Sequence, residues 1–187
     1  KSPIRSVAFT PDGKHLVSGG DDKRVARWLV PEGQPANEYT GATAVVRSLS
    51  ISRDGRLLVA GGDDKVVRAW SLAEGRPLAQ VSLSSAVRGV VVDDSGSTLV
   101  AVGDQTVQQF HIASVDGKTQ LVAHQQGHGH TKPVTAVALA SATRTLVSVG
   151  LDRALRSWYS AAEPARATLK GHDGPVYGVS ISPDGKT

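Results

Sequence analysis

Four copies of one pattern run through this chain, and each ends in an aromatic residue with an Asp six positions before it: Asp22 and Trp28, Asp64 and Trp70, Asp104 and Phe110, Asp152 and Trp158. Self-similarity at about 40 to 45 residues marks a unit that stacks on copies of itself, so the period points to a solenoid or a propeller. The unit's first stretch begins near Val7, Leu49, Val90, Val137 and Val179. There an apolar residue alternates with a small one, as at Val7, Ala8 and Phe9, and a period of two is that of a strand. Pro11-Asp12-Gly13 follows the first copy, Arg53-Asp54-Gly55 the second and Pro183-Asp184-Gly185 the last. Pro presets φ, Asp caps the turn and Gly accepts positive φ, so a hairpin is expected. A second strand reads Leu16-Val17-Ser18, Leu58-Val59-Ala60, Leu99-Val100-Ala101 and Leu146-Val147-Ser148, and a Gly-Asp corner leads to a third strand ending at the aromatic. A weaker fourth stretch (36–40, 77–82, 119–123, 165–169) completes four strands per unit, the blade of a β-propeller.

The 40% hydrophobic content of these 187 residues is spread as short Val, Leu and Ala runs, which suits many small strands. No apolar run approaches the ~18 residues of a membrane-spanning helix. The absence of Cys removes disulfides and thiolate metal ligands. There is no Met, and residues 182–187 stop partway into another copy, so the chain is expected to be part of a longer polypeptide.

The pattern resembles the WD-repeat family, whose hallmarks are a Gly-His dipeptide before the first strand and a Trp-Asp-like ending on the third. Gly129-His130 and Gly171-His172 match the first hallmark, whereas the second and third copies hold Ala42 and Leu83 there. Leu29, Ser71, His111 and Tyr159 follow the aromatics, so the Trp-Asp dipeptide is absent and the Asp-to-aromatic spacing carries the match. The resemblance covers essentially the whole chain. It implies an all-β β-propeller of four-stranded antiparallel blades, with full blades at about 4–41, 45–84, 86–127 and 133–170 and the first strand of a fifth at 175–187. The Ala- and Arg-rich composition is similar to that of bacterial-type members. Such propellers close with roughly six to eight blades. Closure is therefore expected from the remaining repeats of a longer chain, or from a homodimer that completes an eight-blade ring.

The resemblance also implies a buried hydrogen-bonded chain of His, Ser, Asp and Trp in each blade, complete in the fourth copy as His130, Ser148, Asp152 and Trp158. The chemistry suits the set, because a carboxylate needs donors, an imidazole both donates and accepts, and indole N–H only donates. The first copy keeps Ser18, Asp22 and Trp28, and the second keeps Asp64 and Trp70 with Ala60 in place of Ser. The third has Asp104 with Ala101 and Phe110 and is expected to be the loosest, and His172 begins a fifth set. A hydrolase reading, with Ser148 as nucleophile and His130 as base, is disfavoured. Nothing resembles a nucleophile elbow, and an active site is needed once whereas the Asp recurs in all four copies. His124, His128 and His130 lie close in sequence, but a zinc site wants three or four ligands, and the stretch reads as a solvated loop in the longest copy.

Aligning the copies puts Arg5, Arg47 and Arg88 at one position, with Thr135 and Tyr177 as the later equivalents. In a propeller the first strand lines the central channel, so these residues form an arc on one rim, joined by the corner residues Lys23, Arg24, Lys65 and Arg153. The opposite face mixes Asp12, Asp54, Asp94, Glu32, Glu74, Asp116 and Glu163 with basic residues. Arginine's planar fork pairs carboxylate or phosphate. The expected function is therefore a non-catalytic scaffold that binds a protein or an acidic peptide on the Arg-bearing face. Three Trp, three Tyr and two Phe give no aromatic-rich basic groove for nucleic acid. No cofactor, metal or membrane partner is expected. The alternatives are a spacer within a larger protein and an enzymatic propeller.

Overall fold

Alternating sequences interrupted by Gly-containing turns produce strands and nothing else among the described residues of the computed structural model, which are 2–159 and 167–182. The first sheet comprises β1 (Ile4–Phe9), β2 (His15–Gly20), β3 (Val25–Leu29) and β4 (Pro35–Tyr39). The second comprises β5 (Val46–Ile51), β6 (Leu57–Gly62), β7 (Val66–Ser71) and β8 (Pro77–Ser82). β9 (Gly89–Val92), β10 (Thr98–Gly103), β11 (Thr106–Val115) and β12 (Lys118–Gly127) form the third. β13 (Val134–Ala140), β14 (Thr145–Gly150), β15 (Ala154–Tyr159) and β16 (Ala167–Lys170) form the fourth. Each sheet pairs its strands antiparallel in chain order, which makes it a blade. The first strands pack in series, β1 on β5, β5 on β9 and β9 on β13.

The cores lie between blades, as the period of two requires. Leu57 and Val59 of β6 point into one core with Val90, Val92 and Phe110 of the third blade. Leu58 and Ala60, their neighbours, point the other way into a core with Val17, Val25 and Tyr39 of the first. Trp158 packs on Val100, Val102 and Val107 of the third blade, Phe110 on residues of the second and Trp70 edge-on to Tyr39 of the first, so the aromatics of the second to fourth blades face the preceding blade. Small residues of the first strands face the neighbouring first strand. The amides of Leu49, Val90 and Val92 donate to the Oγ of Ser6, Ser48 and Ser50 at 3.1, 3.1 and 3.3 Å.

The turns at 10–13 and 52–55 place Gly13 and Gly55 at φ 68° and 71°, with Asp12 and Asp54 accepting from Thr10 Oγ1 and Ser52 Oγ at 2.5 Å. The turn at Pro183-Asp184-Gly185, Glu163, and residues 165 and 166 of the expected fourth strand lie outside the described residues. The extra length of the third copy does not form a loop at His124–His130. It extends the hairpin of β11 and β12, whose tip, Asp116-Gly117, has positive φ at both residues, as a two-residue hairpin turn demands. Residues 175–182 are unladdered. They run beside blade four, where Val176 N–H donates to Gly150 O at 3.4 Å and Thr135 Oγ1 donates to Val176 O.

Candidate functional site

The rim begins with a defect in the ladder. In β1, β5 and β13 the register slips between Ile4 and Ser6, Val46 and Ser48, and Val134 and Ala136, which leaves Arg5, Arg47 and Thr135 as extra residues without an opposite partner. A bulge of this kind re-aims its side chain. Arg5, Arg47, Arg88, Thr135 and Tyr177, with Leu151, line one recess of about 410 Å³. Tyr177 is 72% exposed there.

The three arginines are not equivalent. Arg5 donates to both oxygens of Asp21 at 2.6 Å. Arg47 grips Asp63 in the same fork, with Nη2 to Oδ2 at 2.7 Å and Nε to Oδ1. The hydrogen bonds and charge of these pairs raise both guanidinium pKa values, and Asp21 is held below the usual carboxylate range by Arg5. Arg88 makes no side-chain hydrogen bond or ion pair among the described residues, and its Nε is shut off from solvent without an acceptor. Lys23, Arg24, Lys65 and Arg153, expected to join the arc, are absent from the recess lining. Lys23, Lys65 and Arg153 sit at φ 65°, 63° and 63° in the corner turns, and Arg24 is turned to Glu38 on β4 at 2.9 and 2.7 Å.

In the fourth blade the corner residues assemble into one buried relay. Trp158 Nε1 donates to Ser148 Oγ at 2.8 Å, Ser148 lies 2.8 Å from His130 Nε2, and His130 Nδ1 lies 3.0 Å from both oxygens of Asp152. An ionised carboxylate only accepts and an indole only donates, so the protons of this chain run from Trp158 towards Asp152. Thr131 N–H donates to the same carboxylate at 3.1 Å and Arg156 Nη1 at 2.7 Å. Burial, opposed in part by Asp152, lowers the His130 pKa. Burial pushes Asp152 upward, but the bonds from His130, Thr131 N–H and Arg156 outweigh it and leave its pKa lowered.

The other copies are partial. In the first, Trp28 Nε1 donates to Ser18 Oγ at 2.8 Å, while among the described residues Asp22 accepts only from Arg24 N–H, at 3.2 Å, on an exposed turn. In the second, Trp70 Nε1 finds Thr40 O at 3.1 Å, and Asp64 binds Thr43 N–H, Val66 N–H and Arg68 Nη1 at 3.1, 3.1 and 2.6 Å. Asp104 stands at φ 40° in a two-residue turn and makes no side-chain hydrogen bond among the described residues. His172 is exposed and likewise joins no network among them. The buried ion pairs Asp64–Arg68 and Asp152–Arg156 were not anticipated from sequence, although the Asp-x-x-x-Arg spacing is visible in both copies.

Of the clustered histidines, His130 is in the relay and His124 is an unopposed bulge residue of β12, its ring 4.2 Å from that of His111 across the hairpin. Two imidazoles are an incomplete ligand set, and no group of three or more His, Cys, Asp or Glu is placed for a metal among the described residues. A cleft of about 640 Å³ beside this pair is lined by Asp93, Ser97, Ser141 and Arg144. Asp93 accepts from Ser95, Ser97 and Thr98 within its own turn.

The family description "WD domain, G-beta repeat" matches residues 1–28, 33–71, 119–159 and 164–187. It passes over 72–118, which contains the shortened corner at Asp104 and Phe110 in place of Trp. No curated protein matches. Among solved structures, "Structure of U3-55K" is similar with a TM-score of 0.83 and 22% identity over 94% of this chain and 54% of that one. "Crystal structure of RRP9 WD40 repeats" is similar with the same TM-score and identity, over 94% of this chain and 53% of that one. The chain thus spans about half the length of the structures it matches. With most of its sequence matched and its four antiparallel sheets arranged as blades, the chain belongs to the WD-repeat family of β-propellers.

Proposed function

We propose that this chain, as a section of a bacterial-type WD-repeat propeller, is a non-catalytic scaffold that docks an acidic segment of a partner protein on its Arg-bearing rim. The observation that carries the reading is the convergence of Arg5, Arg47, Arg88 and Tyr177 on one recess from successive repeats. Arginine and exposed aromatics are the side chains that dominate protein recognition. The competing reading, a spacer, is favoured by the pairing of Arg5 and Arg47 within their own blades. Anisotropy of a fluorescein-labelled hexa-aspartate peptide decides between them. Binding that weakens with salt, and falls at least about tenfold when Arg5, Arg47 and Arg88 are all changed to Gln, is expected of the rim. Undiminished binding by that variant removes the rim, and no binding by the unaltered chain leaves the spacer.

The open side of the first blade supports a second part of this reading. Val7 and Phe9 are 56% and 63% exposed, whereas their counterparts Leu49 and Val92 are 7% and 6% exposed. Bare apolar strand surface of this kind drives association. Further repeats of a longer chain cover this face, and a second copy is the alternative. Light scattering separates the two: a discrete dimer supports a ring closed by two copies, and a monomer or polydisperse aggregate supports the longer chain.

A further inference from the structure

We propose that Arg88 is the anion anchor of the rim and that its ligand is a side-chain carboxylate of the partner's acidic segment, seated where Asp21 and Asp63 sit in the first two blades. This rests on the rim reading above.

The argument is a comparison of blades at one spacing. Sixteen residues after Arg5 stands Asp21, and sixteen after Arg47 stands Asp63; each pair forms a two-point fork. In the fourth blade both members are replaced together, by Thr135 and Leu151, and nothing charged is left over. The third blade keeps both members at that spacing, Arg88 and Asp104, yet no fork forms between them among the described residues. Its corner is shortened to Asp104 and Gln105 between Gly103 and Thr106, which are ladder partners. The ladder pair of the first blade that corresponds to Val102 and Val107 is Gly19 and Val25, one residue further apart, with two consecutive aspartates, Asp21 and Asp22, between them. The one remaining aspartate, Asp104, is exposed in the tight turn and leaves Arg88 unmatched.

The result is a half-buried guanidinium at the recess with a dry, unpartnered Nε. Arg88 lines the recess with no internal partner among the described residues, so an incoming carboxylate gains a charge-assisted bond to its guanidinium without displacing one. Arg5 and Arg47 would each have to exchange one carboxylate for another. The ligand is assigned as a carboxylate because the same arginine position in two blades of this chain already closes on one, through Nε and Nη2 together. Tyr177, on the same recess, offers its ring to the segment that carries the acid.

The test compares Arg88→Met, which keeps the stem and removes the donors, with Arg47→Met. The probes are the labelled hexa-aspartate peptide and a hexapeptide of the same length bearing phosphoserine. Arg88→Met is expected to weaken hexa-aspartate binding roughly thirtyfold or more without lowering the unfolding midpoint. Arg47→Met removes a partly exposed ion pair and is expected to lower the midpoint by about 3 °C or less and to change affinity about threefold or less. Arg88→Gln, expected to lose the same affinity, serves if the Met variant does not fold. Equal binding by unaltered and Arg88-substituted chains overturns the anchor while leaving the rim. A more than tenfold preference for the phosphoserine peptide overturns the carboxylate assignment. Failure of the unaltered chain to bind either peptide overturns the rim reading itself.

Discussion

Changing Asp152 to Ala is expected to lower the unfolding midpoint by roughly 10 °C, corresponding to about 3 kcal/mol at the few degrees per kcal/mol typical of a domain of this size. The carboxylate is 4% exposed and is the common acceptor of His130, Thr131 N–H and Arg156, whose own side chain is 11% exposed. Its removal strands a guanidinium charge and an imidazole donor where water does not reach. The control is Asp22→Ala, the same repeat position, where the bond from Arg24 N–H is lost from an exposed turn. That change is expected to be worth about 0.5 kcal/mol or less. Similar shifts in the two variants would sink the argument. Acid provides an independent signature. Both His130 and Asp152 have lowered pKa values in the folded chain, so the unfolded chain takes up each proton at a higher pH and acid favours unfolding. Stability is full above about 6.5, falls as His130 is forced to charge, and falls again below about 4 with Asp152. Thermal scans of His130→Gln should lose the upper step.

Gly62→Ala is expected to destabilise by about 3 kcal/mol or more, the upper end for forced overpacking. A Cβ there would stand 1.9 Å from the carbonyl oxygen of Val45, and at Gly20, Gly103 and Gly150 the corresponding distances to Pro3 O, Ala86 O and Pro133 O are 2.4, 2.2 and 2.7 Å. The obstacle is backbone, so no rotamer relieves it. These approaches follow from the corner bonds, in which the amides of Asp21, Asp63 and Leu151 donate to Pro3 O, Val45 O and Pro133 O at 2.9, 3.0 and 2.9 Å. A methyl group at Gly62 must push β5 off β6 and with it the bulge that presents Arg47. Gly33→Ala is the comparison: φ is 70° but the space is empty, so about 1 kcal/mol is expected. Urea midpoints that fall equally in the two variants would show that space at Gly62 is not limiting.

The blades were legible because their signal is local. Leu57 to Ala60 is a continuous apolar run whose residues point by turns into two cores, and such a run marks a strand covered on both faces. The corner aspartates were legible as positions and not as bonds. Asp22, Asp64, Asp104 and Asp152 share a spacing, yet what each meets is set by residues 21 to 22 positions earlier or by the length of its own turn. The same holds for the rim, where sequence aligned three arginines and only the geometry separates the two held by Asp21 and Asp63 from Arg88. The hairpin of β11 and β12 was misread because the extra residues were assigned to the His-rich stretch. Val115-Asp116-Gly117-Lys118 carried the turn signal. The glycines at strand ends looked like turn formers, and their need for space became visible only once the preceding carbonyl lay beneath them.

The bulges at Arg5, Arg47 and Thr135 separate two kinds of information within one strand. The laddered residues are answerable to their neighbours, whereas Arg5 and Arg47 have no opposite number and pair with the corner sixteen positions on. Changes there travel in pairs, Arg with Asp or Thr with Leu, and leave the sandwiched positions untouched. Residues 5, 47, 88, 135 and 177 spell Arg-Arg-Arg-Thr-Tyr around the rim. Each copy of the repeat contributes one residue to that row, set apart from the positions that hold the blades together.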